Sequence, residues 1–252
     1  MRRRVPTFAF ILALLAQCHG AAAQSAAPNA SRKWEIIDNS FLVEEAFNQE
    51  PGVFQNIFTW TRSRDGSWDA AFTQEWPAPN MAHQLSYTLG LSHAGSATGI
   101  GDMLLNYRYQ LRAESARGPA LSPRVSLILP TGREADGFGS GVTGLEINVP
   151  ASKQFGNLYL HANAGYTWRP NLEARAHLAG SGIWRVAPMV NLMLESVVEF
   201  DQSVTVSPGI RGGWNFGDHQ LVVGAAVPFT RADGSTTAAI LPYFSYELPF
   251  RR

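Results

Sequence analysis

From Val53 to the end of the chain, apolar and polar side chains alternate with a period of two. In "NLYLHANAGYTW" the residues Leu158, Leu160, Ala162, Ala164, Tyr166 and Trp168 share one face, and Tyr159, His161, Asn163, Gly165 and Thr167 share the other. Successive side chains of a β-strand point to opposite sides, so this is a strand with one oily and one wet face. "VNLMLESVVEF" sets Val190, Leu192, Leu194, Val198 and Phe200 against Asn191, Glu195 and Glu199. "SVTVSPGIRGGWNF" does the same with Val204, Val206, Ile210, Trp214 and Phe216 against Thr205, Ser207, Arg211 and Asn215.

Twelve such segments can be read, over about 53-61, 68-76, 83-92, 100-112, 120-130, 142-150, 157-168, 174-186, 189-200, 203-216, 219-229 and 238-250. Turn-forming stretches separate them, among them "SRDGS", "PAPN", "GREADGFGSG", "RPN", "FGDH" and "RADGS". An even number brings both ends of an up-and-down barrel to one side. Strands of soluble proteins average about 5 to 6 residues, whereas strands that cross a membrane need about 9 to 11. The segments here are of the long kind.

Aromatic residues sharpen the choice. Trp68, Trp76, Tyr107, Tyr109, Trp168, Trp214, Phe216 and Phe250 lie near segment ends, where membrane barrels carry their interfacial girdles. The fold expected is therefore all-β: an antiparallel up-and-down transmembrane β-barrel of about 12 strands. "GIGDMLLNYRYQL" fits only this arrangement. Met103, Leu105, Tyr107, Tyr109 and Leu111 would meet lipid, leaving Leu104, Asn106, Arg108 and Gln110 in a watery lumen.

The amino-terminal residues add a compartment. Arg2, Arg3 and Arg4, a short apolar run and Ala21-Ala22-Ala23 form a secretory signal peptide over 1-23, with cleavage expected after Ala23. A lipidated Cys18 is the competing reading, disfavoured because Gln17 stands where a small residue is wanted. Cleavage removes three arginines and no acid, lowering 20 basic residues to 17 against 20 acidic ones. The mature chain is slightly acidic and has no basic stripe for nucleic acid. Residues 24-52 form a leader, polar at first, with a short helix of about two turns expected in "NSFLVEEAFNQEPG" between Ser40 and Pro51. That leader reads as a linker outside the barrel, which occupies 53-252.

No motif points to catalysis or a cofactor. "GFGSG" at 137-141 leads into no helix, as a phosphate loop should. His83, His93, His161, His177 and His219 show no metal-ligand spacing. An Asp/His or Ser/His hydrolase on the barrel wall would have to use His161 with a serine such as Ser126; the chain reads as a non-enzyme. The candidate lumen-lining residues are Asn106, Arg108, Arg124, Glu146, His161, Glu195, Glu199, Arg211 and Glu247. They read as a ladder of interior ion pairs or, alternatively, as a pore lining that selects solutes.

"FNQEPGVFQN", "FTQEWPAP", "HQLSYTL", "GIGDMLLNYRYQL" and "PRVSLILPTGREADGFGSGVTGLEINVPAS" together resemble the outer-membrane barrel family assigned to the meta-pathway of phenol degradation. The most specific pieces are "GIGD" before an alternating strand, then "LPTG" with a Gly/Ser loop. The resemblance implies an outer-membrane location and passage of small organic compounds, aromatics included, without catalytic residues.

The leading expectation is a channel or passive transporter for small hydrophobic or aromatic solutes. The alternatives are a non-transporting scaffold or binding barrel plugged by its own side chains and residues 34-50, and a lipid-modifying enzyme. Expected partners are outer-membrane lipid, small organic solutes, and the barrel-assembly machinery, which would read the final strand with Phe244, Tyr246, Leu248 and Phe250. With the amino terminus in the periplasm, Thr131 to Gly141 is the longest external loop and is expected to fold over or into the mouth.

Overall fold

The computed structural model describes residues 35–250 except Ile37; the segment expected to be a signal peptide, the first part of the leader and the last two arginines lie outside the described residues. The strands are β1 (Val53–Ser63), β2 (Trp68–Pro77), β3 (His83–Ala94), β4 (Ala97–Ile100), β5 (Met103–Tyr109), β6 (Ala120–Leu121), β7 (Arg124–Leu129), β8 (Gly144–Phe155), β9 (Leu158–Trp168), β10 (Arg175–Ala187), β11 (Val190–Glu199), β12 (Ser203–Phe216), β13 (His219–Ala226), β14 (Phe229–Ala232) and β15 (Ser235–Pro249). Every pairing is antiparallel, and β1 pairs with both β2 and β15, which closes the sheet. Three pairs are single wall strands with a break: β4 with β5, β6 with β7, and β13 with β14. The wall is thus a barrel of twelve strands.

The breaks have local causes. Pro123 and Pro228 sit between the halves of two of these strands, and neither has an N–H to give to the ladder. Asp233 and Gly234 both have positive φ, 50° and 77°, as a two-residue hairpin with the twist of its strands requires. "RADGS" is therefore the tight turn its sequence announces.

Alternation decides which side chains meet which solvent. Leu105, Ile147, Leu194 and Ile240 are exposed on the outer wall, whereas Asn106, Arg108 and Glu195 are buried inside it. Near the end where β1 begins and β15 finishes, here the proximal end, the outer wall carries an aromatic belt. Phe54 packs against Trp76 and Phe250, and Trp76 against Tyr87. Tyr107 bonds His83 and Tyr246 bonds His219 at 2.7 and 2.8 Å. Trp68 stacks on His93 near the other, distal end.

The leader departs from the expectation. Residues 35–50 form no helix; they run as irregular, bent backbone inside the barrel. Ile36, Asp38, Ser40, Phe41, Val43, Glu45, Ala46 and Gln49 are all buried there. A helix satisfies its own backbone, but here the wall offers polar side chains at the right places, and the segment uses those instead. It is an interior plug, not an external linker.

Candidate functional site

The plug enters at the proximal end, crosses the lumen at mid-height and returns to the proximal end, where Pro51-Gly52 leads into β1. Its entry is fixed by Arg185, which forms an ion pair with Glu35, and by Gln220, which donates to the Glu35 carbonyl at 3.2 Å. Phe41 then fills a hollow that the sequence makes by omitting side chains. A Cβ on Gly209 or Gly224 would run into the Phe41 ring, and Tyr243 closes the hollow at 4.8 Å between centroids. Ile36 uses Gly213 in the same way.

Arginines hold the rest. Arg211 donates to the carbonyls of Asp38 and Asn39 at 3.1 and 2.7 Å. Arg108 donates to the carbonyls of Glu45 and Phe47 at 3.0 and 2.7 Å and to the Asn48 side-chain oxygen at 3.1 Å. The Glu44 and Glu75 carboxylates lie 4.0 Å from the Arg108 guanidinium. Arg124 grips Glu44 with two nitrogens, at 2.6 and 3.0 Å, and reaches Glu146 at 2.7 Å and Asn106 at 3.1 Å. Forked pairs of this kind fix geometry as well as charge.

Sequence-derived candidates therefore divide. Asn106, Arg108, Arg124, Glu146, His161, Glu195 and Arg211 lie on the inner face and form, with the plug, one polar network. Glu247 touches the plug through Gln49 at 3.5 Å. Glu199 faces inward but is exposed at the distal rim. It lies beyond the reach of the plug because its strand ends there. His161 does not pair with Ser126; its Nδ1 lies 2.7 Å from Ser152 Oγ, which also accepts the Ala46 N–H at 2.7 Å. The pair is a strut under the plug.

Arg108, expected in a ladder with Arg124 and Glu146, instead binds plug carbonyls. The acids Asp38, Glu44 and Glu45 were not among the candidates. Their signal was an acidic leader placed before a wall with inward arginines.

A cavity of about 230 Å3 remains between the plug and the wall made by β15, β1, β2, β3 and β5. Small inward residues create it: Thr59, Ala71, Thr73, Ser86 and Thr88. Phe41, Ile57, Leu104 and Tyr243 give it an apolar side, while Glu44, Glu75, Asn106 and Arg124 give it a charged one. Leu104, awkward on a wet face by pattern alone, thus borders this cavity. Among the described residues no cluster of His, Cys, Asp or Glu is suited to a metal ion.

At the distal rim, the loop expected to fold over the mouth is pinned to its neighbour. Asp102 accepts the Gly132 N–H at 3.1 Å and the Ser140 N–H at 2.9 Å. The Arg133 N–H reaches the Ile100 carbonyl at 3.4 Å, and a Cβ on Gly99 would strike the Phe138 ring. No residue of 131-141 is buried, yet Phe138 lies against Gly99, which points to the side opposite the outward-facing Ile100, so the loop leans on the inner side of the rim at the mouth. Partial burial pushes the Asp102 carboxyl up, but the Ser140 and Gly132 hydrogen bonds and the Arg169 charge outweigh it and hold the pKa below the ordinary 3.8.

A carboxyl depressed on folding stabilises the structure above its ordinary pKa and loses that contribution as pH falls through the folded value. The brace is therefore intact at neutral pH and fails only below about pH 3.8. Asp102→Asn should reproduce the acid state at pH 7, seen as faster proteolysis between Thr131 and Gly141 with the strands unaffected. Equal cleavage of both proteins would refute this.

In fold the chain is similar to an outer membrane channel from Pseudomonas putida F1, with a TM-score of 0.58 at 12% identity over 84% of this chain and 99% of that one. The chain has the fold of an outer-membrane β-barrel. It is likewise similar to KdgM porin, at a TM-score of 0.55 and 10% identity, over 78% of this chain and 99% of that one. KdgM porin in complex with a disordered oligogalacturonate gives 0.51 and 9%, again over 78% and 99%. No family model and no curated protein matches the chain, so the phenol-degradation family remains a resemblance.

Proposed function

We propose that this chain is a passive channel of the bacterial outer membrane, delivered by a cleaved signal peptide, through which small organic solutes pass beside the plug. The observation that carries the reading is the cavity itself. The wall from β15 to β5 turns small side chains inward and leaves a space with one apolar and one charged side. An engineered protein cavity of about 150 Å3 admits benzene. A space of about 230 Å3 suits a substituted single ring and is small for a disaccharide. Hydrophobic or aromatic solutes with one polar group fit its two-sided lining. The barrel likeness to an outer membrane channel and to KdgM porin supports the channel reading through the fold.

The competing reading, a plugged barrel that passes nothing, draws on the buried segment 35–50. Reconstitution separates the two. In liposomes the protein should admit a monohydroxybenzoate faster than a disaccharide, and in planar bilayers it should give small, discrete conductance steps. A protein that is folded by heat-modifiability yet shows neither is the plugged barrel.

A further inference from the structure

We infer that the inner wall is a binding site for extended polypeptide, read mainly through its main chain, which the protein's own residues 35–50 occupy. The reasoning starts from a period of two inside the plug. The N–H of Leu42 is accepted by Glu195, that of Glu44 by Asn163, that of Ala46 by Ser152 and that of Asn48 by Gln110. Although the segment bends at Ala46, every second N–H from Leu42 to Asn48 meets a side-chain oxygen of the wall, at 2.7 to 3.3 Å. The acceptors follow the wall in order, from β11 through β9 and β8 to the end of β5.

The carbonyls are read as well. Asn163 returns a bond to Glu44 O, Ser122 and Gln110 donate to Ala46 O, and Arg108 takes those of Glu45 and Phe47. The wall thus acts as a neighbouring strand would, with side chains in place of a backbone. Side chains are read as well: Ile36 and Phe41 sit over glycines, Glu44 lies in the fork of Arg124, and Glu35, Asp38, Ser40, Asn48 and Gln49 each make a polar contact with the wall. Main-chain atoms are the same in every peptide. The ligand class is accordingly a short extended peptide with an apolar residue, an aromatic five positions later and an acid three beyond that. Such a peptide would compete with the plug from the proximal end, where Glu50 and Pro51 are exposed.

The test keeps the whole chain. A protease recognition sequence is inserted between Glu50 and Pro51, both exposed, and the refolded protein is cut in detergent micelles. A fluorescein-labelled synthetic peptide of residues 35–50 is then added and its anisotropy followed. Exchange of the cut segment for labelled peptide is expected. A competitor keeping only Ile36, Phe41 and Glu44, with all other side chains alanine or serine, should compete within about tenfold of the native peptide. Glu44→Ala in the native peptide should weaken competition by more than that. No exchange, or a trimmed competitor weaker than about tenfold, overturns the proposal. Because the signal is binding and not conductance, the outcome is independent of whether solutes cross the barrel.

Discussion

Leu105→Arg is expected to keep the protein from assembling into a membrane. Leu105 is 42% exposed on the outer wall, between Tyr87 and Leu127 in the register of β3, β5 and β7. An arginine on the lipid face near the bilayer midplane costs roughly 2 to 4 kcal/mol. That is a large part of the about 5 to 15 kcal/mol by which folded proteins are stable at all. Three positions along, Arg108 shows that the residue type is not the difficulty, since it is buried on the inner face with all three of its nitrogens engaged. Folding into lipid vesicles, followed by the gel shift between heated and unheated samples, should show little or no folded L105R beside a fully folded wild type. Normal folding yield with an unchanged urea midpoint would mean that this face does not meet hydrocarbon.

The second large effect concerns the interior. Arg108→Met should release the plug while leaving the wall standing. The arginine is the donor for two plug carbonyls and the Asn48 side chain, and its charge sits between Glu44 and Glu75. Methionine keeps most of the volume but removes the donors and takes the paired cation from Glu75, while Glu44 keeps Arg124. Breaking a buried pair by deleting one partner costs about 3 to 5 kcal/mol. At about 1.36 kcal/mol per decade, local opening becomes more frequent by roughly two to four orders of magnitude. Hydrogen exchange read by mass spectrometry should therefore show residues 42–49 exchanging far faster, with β9 to β12 little changed. Protection of 42–49 at the wild-type level would show that Arg108 does not hold the segment.

The barrel was legible because its period has one meaning per residue. Leu105 and Arg108 can lie on one strand only if its faces meet different solvents, and the pattern repeats often enough to yield a closed wall. Strand ends were less legible. The segment read over 100-112 is split at Gly101-Asp102 and stops at Tyr109, and β15 begins earlier than its apolar pattern, at Ser235. Hydrogen bonding extends past the oily band, so hydropathy cannot mark where it stops.

The plug was not legible as such. "NSFLVEEAFNQE" carries helix-forming residues, and local propensity favours a helix there. The side chains that overrule it, Glu195, Asn163, Ser152 and Gln110, are far away in sequence and meet the segment only once the wall is curved around it. The same holds for "GIGD" and "LPTG" with the Gly/Ser loop. As motifs they were only marks of resemblance, whereas in three dimensions Asp102 of the first binds Gly132 of the second and Ser140 of the loop.

The plug also has a consequence for the order of events during biogenesis. Its partners extend from Gln55 on β1 to Glu247 on β15, the whole length of the wall. Contacts of such sequence separation form late, because the loops that join them must close first. A segment made before the wall is thus among the last to find its place. Each newly closed barrel is expected to pass through an interval in which its inward arginines face open water, and seating of the plug is a maturation step that follows closure of the wall.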